Sequence, residues 1–183
     1  FSYPFGNGSI DKRPEGMVTA EVAEYLEEHP LGRAEWLRVF GLFLGKERMA
    51  DSLFDAIAAR YDQVRALAPK GGPEPSVFFG SSWRGVWSVP PGNSYIGRLI
   101  ADAGGRYLFA DRKARGNLDI DLESVLEAGS EADLWGRILT QQRPVTLADI
   151  AGDDARTMML PAFSDNRCFY FNSAKCDCFV QAV

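Results

Sequence analysis

Trp83, Arg84 and Trp87, within Gly80-Ser81-Ser82-Trp83-Arg84-Gly85-Val86-Trp87, are the residues of this chain best suited to holding a ligand. Aromatic faces stack on flat or ring-shaped molecules, and a guanidinium pairs with carboxylates or with an anionic chelate. Tyr95 follows with a phenol that can reach a ligand or hydrogen-bond nearby backbone. The competing role for the two tryptophans is to fill the gap between this segment and the core, with Arg84 solvated. No cluster of reactive side chains competes with them. Catalysis needs an acid, base or nucleophile beside a partner, and the chain has one histidine, His29. Gly6-Asn7-Gly8-Ser9 lacks the lysine of a phosphate loop. The residues favour binding over catalysis, so no enzyme is expected.

Metal binding by the protein itself is not expected, and neither is an intrinsic cofactor. Cys168, Cys176 and Cys178 are odd in number, which excludes complete pairing within the chain. Cys176 and Cys178 flank one residue, and His29 is remote, whereas a zinc site needs four ligands at recognisable spacing.

Bulk properties narrow the partners. Of 183 residues, 46% are hydrophobic, enough for a real core, and the net charge of -5 argues against nucleic acid. No apolar run approaches the roughly 20 residues of a membrane span. Phe1 is not an initiator methionine, and the chain is taken as a piece of something longer, with any targeting segment upstream.

The elements that must position these residues follow from periodicity and punctuation. Phe1–Phe5 suits the end of a strand, and a second strand is expected near Met17–Ala20. Pro30 precedes a helix over 32–44, with Trp36, Val39, Phe40, Phe43 and Leu44 packing. After Gly45, a second helix over 46–68 sets Met49, Leu53, Ile57, Tyr61, Val64 and Leu67 on one face. Two such helices make a stiff rod, and Glu27–Trp36 reads as a hinge opening it, with Glu35 in a buried ion pair with Arg33 or Arg38. Ser76–Phe79 is a buried strand, and Ser94 caps a helix through Asp102. Tyr107–Phe109 is a further strand, Asp121 caps a helix over 122–128, and Ala132–Trp135 is a short apolar segment. Thr146 caps Leu147–Ile150, and Cys168–Phe171 closes as a strand.

Alternating strands and helices predict an α/β fold with a mainly parallel sheet. Ligands of such sheets sit beyond the carboxyl ends of the strands. That rule brings in Phe5 after the first strand and Asn172 and Ser173 after the last. Arg112, beyond Tyr107–Phe109, is a further candidate, though it reads first as an ordinary exposed charge.

Several pieces point to a family when taken in order. They are Glu24–Glu27, Pro30–Trp36, Phe40–Glu47, Val86–Tyr95 and Leu99–Gly105. With their spacing they cover most of residues 19 to 135, and the chain resembles the iron-complex and vitamin B12 group of periplasmic substrate-binding proteins, which deliver ligands to ABC importers. The resemblance implies a two-lobed binding protein with a helical inter-lobe backbone. Residues 1–30 would end the N-terminal lobe, 31–68 would be the connecting helices, and 69–183 an incomplete C-terminal α/β lobe. It implies a ferric siderophore, haem or cobalamin as transported ligand. It also implies a periplasmic or extracytoplasmic monomer, lipid-anchored in some arrangements, that meets the membrane only through ABC permease subunits. The family docks through an acidic residue on each lobe; Glu123 matches the second-lobe position, with Glu127 as fallback, and Glu123 also suits the positive end of its helix.

Haem would want a Tyr or His on iron, for which Tyr95 and Tyr3 are the loosely suitable phenols. Free ferric ion would demand several converging anionic ligands, so an intact metal chelate is expected as cargo. The alternative is a structural or protein-interaction α/β domain without small-molecule binding.

Overall fold

Four parallel strands organise the residues that this computed structural model describes, namely Gly16, 20–83, 86–152 and 154–174. They are β1 (Ser76–Phe79), β4 (Arg106–Tyr107), β6 (Leu134–Leu139) and β7 (Cys168–Asn172), in the order β4-β1-β6-β7. Val77 registers with Tyr107 on one side and Leu134 on the other, and Trp135 registers with Cys168. All four residues of β1 are buried, as a central strand covered on both faces requires.

A second, antiparallel sheet was not foreseen. It joins β2 (Ser81–Trp83), β3 (Val86–Val89) and β5 (Leu118–Ile120) in the order β2-β3-β5. Of the segment 80–87, residues 81–83 and 86–87 are therefore paired as antiparallel strands. Its alternation sends Trp87 and Val89 into the core, at 1% and 0% exposure, and leaves Val86 and Ser88 on the other side. Trp87 stands 6.0 Å from Phe78 and 6.2 Å from Trp135, centroid to centroid, and these rings form the centre of the core.

The helices begin where side chains supply the missing acceptors. Ser94 accepts from the Gly97 N–H at the start of α3 (Tyr95–Asp102), and Asp121 accepts from Ser124 at the start of α4 (Leu122–Ser130). Thr146 and Asp149 cap each other's backbone at α5 (Leu147–Ala151), and α6 (Pro161–Ser164) follows a 3-10 turn.

Ahead of the sheet, a 3-10 turn (Glu24–Leu26) leads to α1 (Pro30–Leu44) and α2 (Glu47–Arg65). His29 caps α1 by accepting from Leu31, and Gly45 ends it in the left-handed region at φ 62°. The two helices touch at Gly41, where an added Cβ would lie 2.4 Å from the Ala50 methyl. Tyr61 ties the pair to the sheet domain by donating to Asp102, 2.7 Å away, and Arg98 holds the same carboxylate.

Two expectations for these helices are corrected. Val39, Phe43 and Leu44 of α1, expected to pack, are exposed, and so are Met49, Leu53, Ile57 and Val64 on the apolar face of α2. The two helices meet closely through the small residues Gly41 and Ala50, both buried. The expected buried pair of Glu35 is a surface pair: Arg38 meets Glu35, Asp51 and Asp55 within 3.4 Å, and all four side chains are at least 38% exposed.

Candidate functional site

A cleft of about 1010 Å³ lies at the carboxyl ends of the parallel strands. Phe79 of β1, Ile138 of β6 and Phe171 of β7 supply its apolar wall. Its second side is the start of α3, where Pro90 and Pro91 lead to Ser94, Tyr95 and Ile96. Tyr107, buried and with its phenol pushed upward by that burial, donates to the Pro90 carbonyl at 2.5 Å and fixes this wall from behind. Arg115 and Asn117 line the rim, and Tyr25 to Glu28 close the side nearest α1.

Arg33 is locked where the α1 segment meets this cleft. Its guanidinium donates to the carbonyls of Tyr25 and Glu27 and lies 4.2 Å from the centroid of the Tyr95 ring. Burial lowers its pKa, and the charges of Tyr95, Glu24 and Glu27 oppose that shift. Glu27 accepts from the Trp36 indole at 3.0 Å, so its carboxylate is drawn back onto the first turns of α1. The cleft thus combines aromatic and aliphatic walls with a few fixed polar groups, the composition of a site for a bulky organic ligand.

The structure brings together only part of the set proposed from sequence. Tyr95 lines the cleft, stacked under Arg33. Trp87 does not, because strand alternation commits its ring to the core. Trp83 sits on β2, paired with Val86. Arg84 and Phe5 lie outside the described residues, as do Tyr3, Cys176 and Cys178. Arg112 is exposed, 5.6 Å from the Phe109 centroid, and is not among the cleft residues. Asn172 bonds to both the N–H and the carbonyl of Gln141, and Ser173 bonds to Thr140 and Leu139, so both fasten β7 to β6. Phe171, one residue earlier, is the one that lines the cleft. Glu123 and Glu127 are exposed on α4, apart from it.

Residues missed in the sequence include Tyr25, Glu28, Asn93, Arg115 and Asn117. Glu28 belongs to the expected hinge and Tyr25 lies just ahead of it, while Arg115 and Asn117 belong to a polar connection with no periodicity. A signal for Ser88 was present in the alternation of Val86-Trp87-Ser88-Val89, which assigns the two tryptophan-side residues to the core and Ser88 to the opposite face. Among the described residues no group of three His, Cys, Asp or Glu side chains could hold a metal ion. The Cys168 thiol donates to the Ala162 carbonyl, and burial raises its pKa.

Comparison with known proteins gives one family match and a set of structural neighbours. Residues 15–172 match the family described as periplasmic binding protein. The sequence is 33% identical over 139 residues to an uncharacterized lipoprotein of Methanocaldococcus jannaschii, covering 74% of this chain and 33% of that protein. A possible iron-binding (periplasmic solute-binding) protein of Staphylococcus epidermidis superposes with a TM-score of 0.66 at 14% identity, covering 86% of this chain and 58% of the other. A periplasmic heme binding protein of Vibrio cholerae gives 0.66 at 12% identity, covering 84% and 59%. The chain therefore spans a third of the curated relative and less than two thirds of either structure, and likeness at these identities shows the fold.

Proposed function

The chain belongs to the periplasmic binding protein family, and on that premise we propose that it is part of an extracytoplasmic carrier that hands an intact metal chelate to an ABC importer. The observation that carries this reading is the cleft of about 1010 Å³ at the carboxyl edge of the parallel sheet. Its volume suits a macrocycle or a wrapped chelate, and its apolar walls with few fixed polar groups suit stacking and edge hydrogen bonds. A ferric siderophore, haem or corrinoid is the cargo class, and the names of two structural neighbours, one possibly iron-binding and one heme-binding, support that range.

Within this reading, 31–68 connect two lobes, residues before 31 end the first, and 69–183 form most of the second. The exposed apolar stripes of α1 and α2 support that assignment, since a helix pair lying between lobes has two sides to cover. Tyr95 is the retained ligand contact, joined by Tyr25, Phe79, Phe171 and Arg115. Glu123, exposed at the start of α4, is the docking carboxylate for the permease, with Glu127 one turn on as its alternate. The carrier works outside the cytoplasm as a monomer, and an anchor in the manner of the lipoprotein relative fits it. No described helix is long and apolar enough to cross a membrane. An interaction domain without a ligand would need no groove of this size.

Titration of the full-length protein with haemin, a set of ferric siderophores and cobalamin tests the reading. One of these classes is expected to bind tightly at one per protein. Tight binding to none of them would overturn it.

A further inference from the structure

The cleft has one rim that no regular element supports. Residues 111–117 connect the end of the β4 region to β5 and carry Arg115 and Asn117 into the lining. Three hydrogen bonds hold this loop to Gly92 and Asn93. The Gly92 N–H donates to the Arg112 carbonyl at 2.7 Å, and Ala114 bonds through both its N–H and its carbonyl to the Asn93 side chain, at 3.0 and 3.1 Å. Gly92 permits the approach, because a Cβ there would sit 1.9 Å from the Ala110 carbonyl oxygen. The second hydrogen of the Asn93 amide goes to the Glu28 carboxylate, 2.5 Å away, on the segment that enters α1. Both N–H donors of Asn93 are thus committed, and the oxygen holds one of its two acceptor sites. Asn93 has no amide hydrogen left for a ligand, and the bonds its side chain makes run to the loop and to Glu28.

We propose that Asn93 is a positioning residue that couples the segment entering α1 to the rim loop 111–117, so that Arg115 and Asn117 face the ligand only while Glu28 and Asn93 remain bonded. In a protein whose lobes move about α1, this bond carries that movement to the rim. Glu28 approaches from the segment before α1, Asn93 from the turn before α3 and Ala114 from the loop itself, so the contact joins three segments at one side chain. The ligand part of this inference rests on the carrier reading; the mechanical part does not.

Two measurements on the full-length protein test it. Amide hydrogen exchange without ligand is expected to rise at least about fivefold at Ala114 and its neighbours in Asn93→Ala, and about threefold in Glu28→Ala, the scale of a lost exposed hydrogen bond. Glu28→Gln keeps an acceptor oxygen and is expected to exchange at the parent rate. Titration with whichever of haemin, a ferric tris-catecholate or cobalamin the parent binds is expected to weaken about fivefold in Asn93→Ala, and to recover in Glu28→Gln relative to Glu28→Ala. Unchanged exchange in Asn93→Ala overturns the clamp, and equal exchange in Glu28→Ala and Glu28→Gln overturns the link to α1. Faster exchange with unchanged affinity overturns the positioning role. If the parent binds none of the three, the carrier reading fails and the exchange data alone decide the coupling.

Discussion

Arg33 is held by groups that a lysine could not reproduce. A planar fork reaches the Tyr25 and Glu27 carbonyls while its flat face covers Tyr95, and an ammonium offers a point charge without that geometry. Arg33→Lys is expected to lower stability by about 1–2 kcal/mol, the range of a partly desolvated cation–π contact with its hydrogen bonds, and urea unfolding checks it. Asp102 makes a second residue-level prediction. Burial pushes its carboxyl up, but the hydrogen bonds from Tyr61 and Arg98 and the nearby arginine charges outweigh this and hold it below its ordinary value. A carboxyl lowered in the folded state adds stability above its unfolded value of about 3.9, and loses it as the pH falls through the folded value. Asp102→Asn should therefore flatten the fall in unfolding free energy below about pH 4, and an unaltered acid slope would refute the assignment. At this scale the sequence was a partial guide. Tyr95, read from its place just beyond the aromatic segment, lines the cleft, whereas Trp87, weighed between ligand contact and core, goes to the core by strand alternation.

The α1–α2 contact depends on the absence of a side chain at Gly41, opposite Ala50. Gly41→Val is expected to destabilise the protein by about 1–3 kcal/mol through overpacking, read from thermal or urea unfolding. Pairing Gly41→Ala with Ala50→Gly should recover most of the loss of Gly41→Ala alone, because it exchanges the two methyl positions; no recovery would place the strain elsewhere. Elements with local punctuation were legible. Pro30, Gly45, Ser94, Asp121 and Thr146 each mark a boundary whose backbone donors or turn geometry the residue itself satisfies. The β2-β3-β5 sheet was not legible. Its strands are three or four residues long, and its pairing of Trp87 with Ile120 spans a sequence separation that no local pattern reports. The rim loop 111–117 was hidden for the same reason, since Asn93 and Ala114 meet only in the fold.

For the whole molecule, the order of the pieces carried more information than any one of them. The parallel sheet placed the cleft at its carboxyl edge, where the general rule for α/β folds puts it, but the side chains around that edge come from segments scattered between residues 25 and 171. Docking is predicted to be independent of the cleft, because Glu123 is exposed on α4 and does not line it. Glu123→Lys in the full-length protein should weaken permease association by about 2–5 kcal/mol if the charge is desolvated there, with chelate affinity unchanged. Wild-type association and transport would return Glu123 to the role of a helix-start residue and move attention to Glu127. The central claim, that ligand occupies this cleft, is tested most directly by hydroxyl-radical footprinting of the full-length protein with and without its bound chelate. Tyr25, Tyr95 and Phe171 line the cleft, while Tyr170 precedes Phe171 on β7, is 43% exposed and lies outside it. Ligand is predicted to shield the three cleft residues and leave Tyr170 oxidised as before; shielding of Tyr170 alone, or unchanged oxidation of all four with chelate bound, would contradict the account.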